Sequence, residues 1–340
     1  MRFQSVEQLE EALSEPTPAA IDALAKCPGD LMVLGAGGKM GPTLCRMARH
    51  AADAGGSNRR VIAVARFSDD SLPASLQSHG IQTIRCDLLD FAQLNSLPDC
   101  PNIIFMAGMK FGATNQEPLT WAMNTYLPAR VSERFANSRI VAFSTGNIYG
   151  LTSVSGGGSV ESDLPNPVGD YAMSCLGRER MFTHFSQSLD IPVSIIRLNY
   201  ACELRYGVLV DLAQKTLHGQ PIDLSMPAFN VIWQADANAH ALTSLALAKS
   251  PPLILNVTGP EMLRTRNVCE EFAKLLNKPV TFLNSEAPDA LLSNAKLSHR
   301  LFGPPRISVT QMMQWIAEWL THNGPTLNKP THFQTRDGKF

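Results

Sequence analysis

The sequence lacks several strong signals, and each absence excludes a class. No window approaches the ~20 uninterrupted apolar residues that a membrane span requires. The opening Met1-Arg2-Phe3-Gln4-Ser5 has no apolar signal core, so no secretory leader is expected. The seven cysteines, at 27, 45, 86, 100, 175, 202 and 269, are odd in number and contain no C-x-x-C pair. That argues against a disulfide framework or zinc site and for reduced thiols in the cytoplasm. The eight histidines form no H-x-x-x-H pair, and no metal is expected. Net charge is −1 with 17% charged residues, which gives no general pull toward nucleic acid or an anionic membrane. No internal repeat or extended low-complexity tract is present. What remains, 44% apolar residues in a chain of 340, suffices for one large α/β domain with an appended lobe or for two small domains.

The most informative stretch is Leu31-Met32-Val33-Leu34-Gly35-Ala36-Gly37-Gly38-Lys39-Met40-Gly41. An apolar run of strand length meets glycines spaced G-x-x-G-x-x-G, and a helical pattern follows from Pro42. This order suits a dinucleotide diphosphate. Gly35 permits a sharp turn. Gly38, without a Cβ, lets backbone N–H groups, including those of Lys39 and Met40, approach phosphates. Gly41 packs helix against strand, and the helix N-terminus adds a positive dipole end. The other reading is a glycine-rich turn with no ligand.

Elsewhere short apolar strands alternate with helical patterns. The strands are expected at 61–65, 82–86, 102–106, 139–143 and 192–196, and the helices at 42–54, 72–79, 90–96, 117–136 and 170–188. That alternation predicts a doubly wound parallel sheet of Rossmann type with a smaller C-terminal α/β substrate lobe. Residues 1–30 read as an N-terminal helical extension, with a capping box at Ser5-Val6-Glu7-Gln8 and a second helix opened by Thr17-Pro18. The Rossmann unit is expected over 31–200 plus about 231–258, and the lobe over 201–230 and 259–321. Within the later chain, helices are expected at about 208–218, 236–248, 265–276 and 308–321. A strand is expected at 279–283, and two short helices near 287–301. The polar tail, 322–340, reads as a surface arm or a partly disordered one, and His332 as a surface imidazole unless the tail folds back over the cleft.

In such a sheet, ligands bind where the loops leave the strand C-terminal ends. Arg66, ending the second strand, tilts the expectation toward the 2′-phosphate of NADP; it also reads as cover for the adenine face. Asp87 has two readings, acceptor for the adenine amino group or cap of the following helix. The small residues of Met106-Ala107-Gly108-Met109-Lys110 leave room beside the fourth strand. Ser144 and Thr145 place two hydroxyls at the mouth of the fifth.

These residues carry a resemblance to the extended short-chain dehydrogenases/reductases, the group of NAD-dependent epimerases and dehydratases. It runs from about Leu31 to about Leu283. It rests on Gly35/Gly38/Gly41, Asp87-Leu88, Ala107-Gly108, Asn124, Ser144-Thr145-Gly146-Asn147-Ile148-Tyr149-Gly150, Tyr171, Arg197-Leu198-Asn199, Trp233-Gln234-Ala235-Asp236 and Leu255-Asn256-Val257-Thr258-Gly259. The resemblance implies an NAD(P)-dependent enzyme acting on a sugar, sugar acid or nucleotide sugar. Thr145 would then hold the substrate oxygen, Tyr171 would be the acid/base, and Asn124 the asparagine behind the site. Ser144, Asn147, Asn199 and Arg205 are the expected substrate contacts. A homodimer through helices 117–136 and 170–188 is also implied.

Two departures stand out. The pattern Y-x-x-x-K is here Tyr171-Ala172-Met173-Ser174-Cys175, a thiol in place of an ammonium. Each pKa unit of tyrosine depression forgone costs about 1.4 kcal/mol of phenolate. Lys110, or Arg178 one turn further along the helix, could supply the charge, and each also reads as an ordinary solvated cation. Second, Pro227-Ala228-Phe229-Asn230-Val231-Ile232-Trp233 lacks the arginine that clamps a nucleotide diphosphate in the group, so Arg205 is the candidate anion ligand. Arg205 also reads as the ion-pair partner of Glu203. The reading from another class is a dinucleotide-binding regulatory or scaffold protein whose catalytic power has decayed.

Overall fold

The structure, a computed structural model, describes residues 3–110 and 115–339. Strands β1 (Leu31–Leu34), β2 (Val61–Ala65), β3 (Gln82–Arg85), β4 (Asn102–Phe105), β5 (Arg139–Thr145), β6 (Val193–Leu198) and β7 (Leu253–Val257) form one sheet in the order β7-β6-β5-β4-β1-β2-β3. Every pairing in it is parallel. The chain therefore winds outward from β1 to β3, returns to β4 on the other side of β1, and winds outward again. The crevice at that reversal lies above β1 and β4, where Leu34 stands level with Phe105.

All four residues of β1 are buried because both faces of the sheet are covered. Met32 and Leu34 face a cluster holding Leu127, Val131 and Phe182 of the helices Leu127–Arg134 and Gly169–Leu189. Leu31 and Val33 face a larger cluster that reaches from Phe3 to Phe333 and takes in the later lobe. The N-terminal extension belongs to that second layer. The Ser5 side chain accepts from the Gln8 amide, Thr17 accepts from the Ala20 amide, and Leu9, Leu13, Ala20 and Leu24 are buried. Arg46 on the helix Gly41–Ala54 bridges Glu10 and Glu11 at 3.1 and 2.9 Å.

Some expectations require correction. The helical run over 117–136 is interrupted: Glu117–Trp121 and Leu127–Arg134 are α-helical, and Ala122–Tyr126 between them is a π-helix. Pro128 has no N–H, so the Asn124 carbonyl has no donor four residues on, and Arg178 Nε supplies one at 3.4 Å. The strand expected at 279–283 shrinks to Phe282–Leu283, and Pro279 has no N–H to offer a ladder. Of two helices expected near 287–301, Lys296–Phe302 forms; Asp289–Ala290 pairs instead with Thr152–Ser153.

The tail is corrected in part. It is a surface arm, but one tied down as a strap laid across the lobe. The Trp319 indole donates to the Pro325 carbonyl, and the Leu327 amide to Arg205. Both the amide and the hydroxyl of Thr331 donate to Asp211, at 2.8 and 2.5 Å. Phe333 is buried edge-on against Phe229, with ring centroids 5.7 Å apart. Arg336 closes the strap by donating to Ser225 and pairing with Asp289.

Candidate active site

The turn after β1 is shaped by contacts that leave no alternative to glycine at two of its positions. Gly35 has φ +91°, and a Cβ there would stand 2.6 Å from the Ala107 amide nitrogen. A Cβ on Gly41 would collide with the Ala36 carbonyl. Gly38 differs: the nearest atom to its Cβ position is the Gly35 carbonyl oxygen, 3.5 Å away, so the protein does not fill that side. The helix Gly41–Ala54 starts after Met40 without a side-chain cap. Its leading N–H groups face the crevice as an anion site does. The turn thus fits a diphosphate.

From this turn a cavity of about 730 Å³ runs along the sheet edge. Gly35, Gly38, Lys39, Met40, Gly41, Gly108, Lys110, Ser144, Thr145, Asn147, Tyr171 and Asn199 all border it. The sequence had separated these residues by as many as 164 positions, and the fold brings them together. Arg66, Asp87, Leu88 and Arg205 are not among its lining residues. Arg66 is exposed at the end of β2, and Leu88 is buried. Asp87 accepts from the Leu89 amide at 3.0 Å, as a turn-capping residue does. Ala107 is buried against Gly35. The Arg205 guanidinium is taken by Glu203 and Glu10, each at 3.0 Å, so the expected substrate contact is replaced by an ion pair.

At the centre, Thr145 and Cys175 lie beside the Tyr171 phenol, close enough for each to act on its proton. Burial pushes the Tyr171 phenol above the ordinary tyrosine range, and the neighbouring Cys175 adds to the shift, while Arg178 and Thr145 oppose it. Burial also raises the Cys175 thiol, which leaves it protonated and inert. Lys110 Nζ stands 5.5 Å from the Tyr171 ring centroid and 5.9 Å from that of Tyr200, and burial lowers its pKa to about 8.

Neither cation is ordinarily solvated. Arg178 is buried, donating to the Phe143 carbonyl and to Asn124 Oδ1, both at 2.7 Å. Asn124 in turn accepts from the Met109 amide and donates to the Met109 carbonyl, each at 2.9 Å, and so fixes the loop that carries Lys110. Ser144 lines the cavity, but its hydroxyl donates to Glu179 at 2.6 Å. Glu179 is ion-paired with Arg197 at 2.8 Å, and both are buried. Ser144 thereby couples the cavity wall to a buried polar network.

Tyr200, Tyr206, Asn328 and Lys329 border the cavity without standing out in the sequence. Tyr200 has φ +45°, a strained value for a non-glycine residue, and its hydroxyl is buried without a hydrogen-bond partner. Lys39 Nζ lies 3.4 Å from the centroid of the Tyr206 ring. Asn328, Lys329, Thr331 and His332 border the cavity from the strap, so the tail does fold back over the cleft. The charged lining residues are Lys39, Lys110, Arg178 and Lys329, and no carboxylate is among the described ones.

Solved structures share this architecture. A UDP-glucuronic acid 4-epimerase from Bacillus cereus, in complex with UDP-glucuronic acid and NAD, is 19% identical with a TM-score of 0.70 over 86% of this chain and 99% of its own. The dTDP-glucose 4,6-dehydratase DesIV from Streptomyces venezuelae, with NAD bound, is 18% identical with a TM-score of 0.72 over 86% and 97%. MoeE5, in complex with UDP-glucose and NAD, is 19% identical with a TM-score of 0.68 over 87% and 99%. The chain has the epimerase/dehydratase fold. No family model and no curated protein matches the sequence. The likeness is therefore one of backbone architecture, kept at low identity over nearly the whole length of the proteins compared.

Proposed function

We propose that the chain is an NAD(P)-dependent enzyme of the extended short-chain dehydrogenase/reductase type. It would act at a carbinol carbon of a sugar, sugar acid or nucleotide sugar, by epimerisation, dehydration or net oxidation or reduction. The observation carrying this reading is that Thr145 and Tyr171 line the same cavity that begins at the diphosphate-shaped turn. Structures of this fold bind NAD and nucleotide sugars, which supports the same class.

Gly35, Gly38, Lys39, Met40 and Gly41 would hold the dinucleotide, with Ala107 and Gly108 making room for its nicotinamide half. When bound, it supplies the hydride acceptor and donor. The chain's own residues manage the proton and the oxygen. Thr145 holds the substrate hydroxyl oxygen, and Tyr171 Oη takes and returns its proton. With a pKa of about 8, Lys110 is mostly an ammonium at neutral pH, and it stands in for the lysine absent at position 175. Asn124 and Arg178 are positioning residues beneath these groups. Arg66 at the end of β2 supports NADP over NAD. The seven free, buried cysteines suit a reducing cytoplasm.

The exposed Leu119, Trp121, Tyr126 and Met173 on the helices over 117–134 and 169–189 support a homodimer through that face. Light scattering should then give twice the 37.1 kDa of one chain, and Tyr126→Glu should halve it. One observation favours the non-catalytic reading: Cys175 supplies no cation to Tyr171, whose phenol is held protonated by burial.

Calorimetry with NAD and NADP, followed by turnover on a panel of sugars, sugar acids and nucleotide sugars, separates the two. Tyr171→Phe should lower kcat by about 100-fold or more while leaving dinucleotide affinity unchanged. Lys110→Ala should abolish turnover and keep adenosine binding. Tight dinucleotide without turnover, unaltered by Tyr171→Phe, identifies a sensor.

A further inference from the structure

Two of the four cations of the cavity come from opposite ends of the chain. Lys39 belongs to the first βα turn, and Lys329 to the last fifteen residues. Both border one cavity, together with Gly38 and Met40 on one side and Asn328, Thr331 and His332 on the other. Lys329 is close enough to act electrostatically on Lys39, which burial and then Lys329 and Lys110 bring down to about 7. Two ammonium groups that repel each other beside an uncapped helix start are arranged for a ligand with more than one negative oxygen. Lys329 does not wander into this position. Leu327 ties the strap on one side of it, and Thr331 and Phe333 on the other.

From this geometry we infer that the C-terminal strap is part of the dinucleotide site, Lys329 and Lys39 gripping the diphosphate between them. The inference rests on the dinucleotide reading above and adds a residue to it from outside the sheet. It also bears on the reaction class. A cofactor clasped by a strap anchored at Asp211, Phe229 and Asp289 leaves slowly, because those contacts must open first. Slow exchange suits chemistry in which the hydride is taken from the substrate and returned to it in one visit. The substrate hydroxyl proton, moved through Tyr171, is returned in the same way, so atoms and electrons balance without an external oxidant.

The test uses the full chain and three probes: NAD, ADP-ribose and AMP. ADP-ribose carries the diphosphate without nicotinamide, and AMP carries neither. Lys329 is exposed at the cavity rim, so Lys329→Ala should leave the thermal unfolding of the ligand-free protein unchanged. By calorimetry it should weaken NAD and ADP-ribose alike, by about tenfold to a hundredfold, and leave AMP unaffected. Lys329→Arg should restore most of the loss. Stopped-flow release of NADH, followed by fluorescence, should quicken by a similar factor in Lys329→Ala. Unchanged ADP-ribose affinity overturns the inference, as does a change confined to substrate KM. Binding of NAD by the parent with no difference in the variant refutes the clasp alone. Absence of NAD binding in the parent refutes the dinucleotide reading itself.

Discussion

The cavity has two walls built on different principles. The turn after β1 is local: eleven consecutive residues supply a strand, three spaced glycines and a helix start, and backbone sterics fix the shape. The strap over 325–336 is held chiefly by non-local anchors, at Asp211, Phe229 and Asp289, each more than forty residues away. The turn is set by which atoms cannot be present, the strap by which distant partners are. The first kind of wall needs only the sheet beside it, where the Ala107 backbone stands against Gly35, whereas the second depends on the lobe being folded.

Four experiments test this contrast, in descending size of effect. Phe333→Ala removes a fully buried ring and should cost the strap about 3–5 kcal/mol. Hydrogen exchange should then show the Thr331 and Thr335 amides losing protection while those of β1 keep theirs. Equal loss in both would mean that the strap and the sheet unfold as one unit. Gly41→Val forces side-chain atoms against the Ala36 carbonyl and should lower unfolding stability by about 3 kcal/mol in urea, with dinucleotide binding lost.

The pH dependence of binding comes next. Lys39 titrates near 7 in the free protein, and a diphosphate favours its charged form. The complex therefore holds more protons than the free protein, and affinity is highest below pH 7. It should fall by up to about tenfold per unit as pH rises above 7, until the pKa in the complex is reached. A flat profile by calorimetry between pH 6.5 and 8.5 would place Lys39 away from the ligand. Smallest is Thr331→Val, which takes one of two donors from the half-enclosed Asp211 carboxylate and should cost about 1–2 kcal/mol. Thermal unfolding read at the strap would register it.

The same contrast explains what could be read in advance. Six of the seven strands are mainly apolar runs, the exception being the edge strand Gln82–Arg85, and their alternation with helices points to a doubly wound parallel sheet. The glycine turn, Thr145, Tyr171 and Asn124 are spaced along that order, and the fold delivers them to one edge. Arg205 was ambiguous for a local reason: Glu203, two residues away, already offered a partner, and the structure shows that pair made. Arg178 stood between two readings, a charge for Tyr171 and a solvated cation, because its contacts are tertiary. Pro128 leaves the Asn124 carbonyl short of a donor, and a guanidinium fifty residues later fills the gap. The strap was illegible because polar residues without periodicity carry no pattern. Its local hints were the few apolar residues of a mostly polar tail, Leu327, Phe333 and Phe340, with nothing to say which surface would receive them.

The π-helical segment Ala122–Tyr126 carries a consequence of its own. Such a segment is an α-helix with one residue too many for its turn. Excising a single residue there would restore regular winding with the two flanking helices kept nearly in phase, because the wider turn already absorbs the extra residue. Asn124 lies inside the segment and holds both the amide and the carbonyl of Met109, so the wide turn is what presents this side chain to the loop that carries Lys110.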